Sequence, residues 1–175
     1  MAWVAGNDVT TGDLITAAQW NNYLGATGSL EYLYDVPSVR VYHNVDQSFA
    51  RLTPTFLAFN SERFDTDTIH DTVTNNSRLT CKTAGKYLIA AHIKWDVEDG
   101  IGYMYLYFNG ATIIAQARGA DLNSTGKLEQ NVATIYDLAV NDYVQVKINH
   151  SATSAKNVKY HANYSPEFMM ARISP

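Results

Sequence analysis

Five histidines, one cysteine, two carboxylate clusters and a row of tyrosines are the residues of this 175-residue chain that could do chemistry. His43, His70, His92, His150 and His161 fall on separate segments, and no Gly-x-Ser-x-Gly elbow accompanies them. Nucleophilic hydrolysis needs a Ser or Cys beside a base that a third group orients. No local spacing supplies that set. Cys81 lies in an apparent strand, where a buried small hydrophobe is the expected role. The chain therefore reads as non-enzymatic. Asp65-Thr66-Asp67-Thr68-Ile69-His70-Asp71 and Asp96-Val97-Glu98-Asp99 offer loop oxygens of the kind that suit Ca2+. Neither has EF-hand spacing, and a solvated polar loop with local Asx turns is the preferred reading of both. No cofactor is expected, with Ca2+ the one metal these clusters would suit. Tyr103, Tyr105 and Tyr107 share one face of a strand. They could be core, subunit contact or a ligand face for sugar or protein.

The bulk numbers narrow the classes. Hydrophobic residues make up 46% of the chain and charged residues 17%, which is globular composition on the low-charge side. Net charge is −4 and no run of Lys or Arg appears, so phosphate-neutralising contact with nucleic acid is not expected. No apolar run approaches the roughly 20 residues of a membrane span. Residues 1–8 lack the basic and apolar regions of a secretory signal. One cysteine leaves no intramolecular disulfide framework and no multi-cysteine zinc site.

The elements that must position these residues are strands. Gly85 to Trp95 alternates, with Tyr87, Ile89, Ala91, Ile93 and Trp95 on one face and Leu88, Ala90, His92 and Lys94 on the other. Gly102 to Phe108 is apolar or aromatic on both faces, as in a strand covered on both sides. Met104, Leu106 and Phe108 have no hydroxyl to satisfy and suit the core; the tyrosines then face outward. Asn109-Gly110 is a hairpin signal. Further strands are expected at 39–44, 55–60, 78–82, 111–118, 127–138, 142–150, 157–162 and 167–173. The stretch 61–76 reads as a polar loop. About ten short strands with turns between them indicate a sandwich or barrel.

Residues 1–38 differ. Thr16-Ala17-Ala18-Gln19 is a capping box, and Ile15 with Trp20 can form its hydrophobic staple. A short helix over 17–24 is expected, with Ala17, Trp20 and Leu24 on one face. A helix this short needs a surface to dock on. That surface is either the rest of the chain or a partner protein, for which Ile15, Trp20 and Leu24 would be the anchor. Residues 25–38 read as a linker.

Gly85-x-Tyr87-x-Ile89, His92, Leu106-Tyr107-Phe108-Asn109-Gly110, Phe59 to Asp65 and the closing Asn163 to Met170 together resemble the complement one-q and tumour-necrosis-factor superfamily. The last two stretches are similar to its bacterial and bacteriophage members. Ile89 departs from the family's usual Phe. The resemblance covers about 39–175. It implies an all-β, ten-stranded jelly-roll sandwich of two sheets, a compact homotrimer and, in some members, bound Ca2+. Thr16 to Asn22 resembles leaders of tailed-phage virion proteins. The expectation is a phage structural protein of decoration, head-fibre or tail type, assembled in the host cytoplasm and displayed on the virion surface. It would hold a capsid or tail protein through residues 1–38. A trimer axis is expected at Tyr42, Leu88, Ala90, His92, Phe168 and Met170. The alternative is an adhesin that binds a host-surface glycan or protein through loops around 61–76, 96–101 and 119–126.

Overall fold

The structure, a computed structural model, describes residue 14, residues 16–24 (side chains as far as residue 20) and residues 36–96, 99–120 and 128–174. Ile15, the Leu24 side chain, the linker over 25–35 and loop residues 97–98 and 121–127 lie outside the described residues. The expected helix is α1, Ala17–Leu24. Its capping box closes both ways: the Gln19 amide donates to Thr16 Oγ1 at 3.2 Å, and the Thr16 amide donates to Gln19 Oε1 at 2.8 Å. Trp20 is more than half exposed.

Twelve strands follow: β1 Ser38–Tyr42, β2 Gln47–Phe49, β3 Thr55–Phe56, β4 Ser61–Asp65, β5 Arg78–Thr80, β6 Gly85–Lys94, β7 Ile101–Phe108, β8 Thr112–Ala120, β9 Glu129–Leu138, β10 Tyr143–His150, β11 Lys156–Val158 and β12 Glu167–Ser174. One five-stranded sheet runs β4-β1-β12-β6-β9. The other runs β3-β10-β7-β8, with β5 also pairing β10. β11 and β2 form a ribbon. Nine of the ten strands of the two main sheets are expected ones; β4 is not, and the strand expected over 157–162 is reduced to β11, Lys156–Val158, in the ribbon with β2. Two local assignments differ for physical reasons. The stretch expected to be a loop from residue 61 opens with β4, whose Ser-Glu-Arg-Phe-Asp carries no apolar alternation because it is an edge strand. Of the strand expected over 55–60, only two residues pair, although Leu57 and Phe59 are fully buried.

β6 lies between β12 and β9 and sets the layers. Tyr87, Ile89, Ala91, Ile93 and Trp95 are all buried, as the alternation requires. Met104 and Leu106 of β7, Val144, Val146 and Ile148 of β10, and Phe168 and Met170 of β12 complete the core with them. Cys81 is buried there too, and burial pushes its thiol up from the usual range. It is a packed hydrophobe rather than a nucleophile.

The long polar side chains of this core are matched, although His150 Nδ1 is left without a partner among the described residues. Trp95 Nε1 donates to Gln130 Oε1 at 2.7 Å, and Gln130 Nε2 donates to the Gly102 carbonyl at 3.0 Å. Tyr87 donates its hydroxyl to the Thr83 carbonyl at 2.6 Å, and desolvation raises its pKa. Gln130 therefore ties β9 both to Trp95, the residue after β6, and to β7, across the two sheets.

The Asn109-Gly110 turn takes φ +48° and +70°, the doubly left-handed geometry that two-residue hairpins require. Gly85 opens β6 at φ +147°, and a Cβ there would lie 2.4 Å from the Ser174 carbonyl and 2.5 Å from Arg172 Nε. Gly85→Ala is expected to cost about 1–3 kcal/mol, read as a lower urea midpoint with unchanged slope. Lys86→Ala, on the exposed neighbour, should stay within about 0.5 kcal/mol of wild type; equal effects at the two positions would refute the close-approach account.

Candidate functional site

Three features outside the core are candidates: the outer face of the β6 sheet, the outer face of the β7 sheet, and a cavity at the end of the latter. The first follows from the parity of β6. Residues that do not face the core face out, and pairing aligns them into rows across the sheet. Ile135 of β9, Leu88 of β6 and Ala171 of β12 form one row. Ala133, Ala90, Met169, Arg40 and Phe64 form the next. Leu88 is 45% exposed, Phe64 48%, Ile173 52% and Ile135 58%. Four large apolar side chains exposed on one sheet face are more than scattered surface residues. The alanines between them leave the backbone open to close approach.

Polar rows flank this apolar band. Asn131, His92, Glu167 and Tyr42 lie opposite one another on β9, β6, β12 and β1. Glu167 is almost fully buried although it faces outward, because two arginines cover it. Arg63 Nε donates to Glu167 Oε1 at 2.7 Å, and Arg40 Nε holds Oε2. Each guanidinium also reaches the 160–165 turn, Arg63 at the Ala162 carbonyl and Arg40 at the Asn163 carbonyl. The hydrogen bond that Arg63 donates to Glu167 raises the Arg63 pKa. Arg63 stacks over Tyr42, 4.5 Å from the ring centroid. Beside this clamp, Tyr164 stacks on His161 at 4.8 Å and meets His92 at 5.9 Å.

The outer face of the second sheet is aromatic. Tyr103, Tyr105 and Tyr107 are half-buried and succeed one another at 6.4 and 6.3 Å. Arg118 lies over Tyr103, Lys147 over Tyr107, and Phe56 packs edge-on to Tyr107. The stripe continues across β10, where Tyr107 is opposite Gln145, Gln145 opposite Arg78, and Tyr143 opposite Thr80. At that end a cavity of about 350 Å3 opens between the 68–75 turn and β5.

Among solved structures the chain is similar to murine APRIL at pH 5.0, with TM-score 0.61 at 10% identity over 79% of this chain and 99% of that one. The globular domain of zebrafish complement 1qA protein matches with TM-score 0.55 at 16% identity, over 78% of this chain and 97% of that one. The fold is the jelly roll of tumour necrosis factor and the complement one-q head. No family model matches the sequence, and no curated protein does. In this jelly roll the long strands supply the two flat faces and the connections supply the cavity.

The expected site residues are distributed as follows. Tyr42, Leu88, Ala90 and His92 lie on one outer face, as their parity implied. Phe168 and Met170 do not. They are fully buried, because β12 sets them opposite Ala91 and Ile89, both core residues. Met169, Ala171 and Ile173 take the outer positions instead. Tyr103, Tyr105 and Tyr107 lie on the opposite sheet, facing outward. Among the described residues no group of three His, Cys, Asp or Glu converges as metal ligands would. Asp65 accepts the amides of Asp67, Ile69 and His70, and Asp71 accepts those of Val73 and Thr74. Both are turn-forming carboxylates. His70 and His150 lie apart from the other histidines: His70 bonds Glu62 at 2.9 Å, and His150 is buried against Trp95 and bonds the Phe49 carbonyl, whereas His92 and His161 both meet the Tyr164 ring. The Glu167 clamp was not anticipated, since its arginines sit 104 and 127 residues away along the chain.

Glu167→Ala should destabilise the fold by about 3 kcal/mol, toward the low end for a broken buried pair because the arginines remain partly wet. Limited proteolysis within 160–165 should accelerate with it. A variant that melts like wild type and keeps that turn resistant would show that the clamp holds nothing.

Proposed function

We propose that this chain is a non-enzymatic, homotrimeric structural module of a bacteriophage virion, displayed on the capsid or tail surface and attached through residues 1–38, with 39–175 as the displayed domain. The observation that carries the assembly is the apolar outer face of the β6 sheet, with Leu88, Ile135 and Ile173 exposed around Ala90 and Ala171. A face of this kind on a jelly roll suits a second and third copy of the same chain. Tyr42 and His92 at its polar margin would set the register of the contact. The virion assignment is supported by the sequence resemblance of Thr16 to Asn22 and of the 59–65 and 163–170 stretches to phage proteins. The observed capping box of α1 and the exposed Trp20 suit a helix that docks on a partner. No helix among the described residues is long and apolar enough to cross a membrane.

A second reading, an adhesin acting through its loops, is favoured by the cavity that the 68–75 turn walls.

Sedimentation equilibrium is expected to give three times the 19.5 kDa chain mass. Leu88→Glu and Ile135→Glu, both at exposed positions, should return folded monomers, while Ile113→Glu on the opposite sheet should leave the trimer intact. A monomeric wild type removes the assembly reading. Deleting residues 1–38 should leave a soluble trimer that no longer binds its particle; a truncated chain that cannot fold makes the segment part of the domain.

A further inference from the structure

The cavity at the end of the tyrosine stripe has unmatched positive charge. Arg78 and Lys82 both line it, and neither is ion-paired with a described carboxylate. Arg78 is held in place by Tyr143, with its guanidinium 4.1 Å from the ring centroid. The one acid in the wall, Asp71, has Oδ1 taken by the amides of Val73 and Thr74 at 2.8 Å each, which hold its carboxyl below the usual range. Its single charge offsets only half of theirs. Beside Ile69 and His70, whose imidazole bonds Glu62, the rest of the lining is hydroxyl and amide, from Thr68, Thr74, Thr80 and Asn75. Such groups donate and accept, as ring hydroxyls of a sugar require.

Three further observations point to the same place. Thr68 and Asn75 take φ +53° and +56°. A β-branched residue there is an outlier, and strain of about 1–3 kcal/mol collects where a binding geometry is fixed. The volume, about 350 Å3, falls in the range of small-molecule sites. The rim also joins the aromatic stripe directly, through the row from Arg78 by Gln145 to Tyr107. Flat rings of this kind pack against the C–H faces of pyranose units.

We propose that the cavity binds a carboxylate-bearing terminal sugar, with Arg78 and Lys82 on the carboxylate, Thr74 and Asn75 on the hydroxyls, and the preceding units of the oligosaccharide along Tyr107 and Tyr105. Arginine supplies the fork that fits a carboxylate, and the lysine adds charge. This rests on the adhesin reading of these loops and names its ligand class. It does not depend on the trimer, because one chain forms the whole wall.

The test is isothermal titration of the full chain with 3′-sialyllactose, a hyaluronan tetrasaccharide and neutral lactose. One or both acidic sugars should bind and lactose should not, and whichever acidic sugar binds identifies the source of the carboxylate. Lys82→Glu, at an exposed position that cannot unfold the domain, should weaken binding roughly 10-fold or more, as loss of a charge-assisted contact does. Arg78→Ala should do the same. If neither acidic sugar binds, or if Lys82→Glu binds as wild type does, the acidic-sugar site is refuted. Retention on an array of neutral glycans in that event would leave the adhesin reading standing without this ligand; retention on none would remove both.

Discussion

The pairing of β6 between β12 and β9 is the constraint on which the rest depends. A strand in that position has no free edge, so its backbone groups are consumed by the ladder and its side chains have two faces only. One face is buried without exception from Tyr87 to Trp95. Slipping the register by one residue would move the whole apolar set to the surface. Gly85 guards that register at the start, where Arg172 and Ser174 crowd it, and Gln130 holds the Trp95 indole at the end. With both ends pinned, β9 and β12 inherit their faces from β6, and the rows on the outer side follow.

Much of this was legible in the residues. Strict alternation from Leu88 to Lys94 told inside from outside, and Asn109-Gly110 told the turn. The helix was legible because capping is local: Thr16 and Gln19 lie one turn apart and satisfy each other. The phase of β12 was not legible. Phe168-Met169-Met170-Ala171 is apolar at every step, so its period of two is invisible until Ile89 and Ala91 are seen opposite it. β4 was missed for the complementary reason: an edge strand with one polar margin shows no alternation to read. The Glu167 clamp was beyond any local pattern, since only the fold brings its arginines together; the cavity lining is local, all within 68–82, but its polar residues carry no period to read.

The clamp is an uncommon use of charge. A carboxylate this buried costs several kcal/mol in desolvation unless it is matched, and here two guanidiniums match it, one at each oxygen. The excess positive charge is not idle. Each arginine also donates from Nη2 to a carbonyl of the 160–165 turn, so one buried acid fixes β1, β4 and β12 together with the loop that covers them. The specificity lies in geometry: a lysine could supply the charge but not two directed bonds from one planar group.

The two outer faces share no side chain and are separated by the core, a distance of about 10 Å between sheets. Substitutions that far apart, with no common partner, act additively. Selection can therefore rework the tyrosine side and its cavity without disturbing Leu88 and Ile135 on the other side, and the reverse. A sandwich with one face for each kind of contact is free to diverge in what it touches while keeping how it is built, which is one physical route by which chains at 10–16% identity retain a common fold.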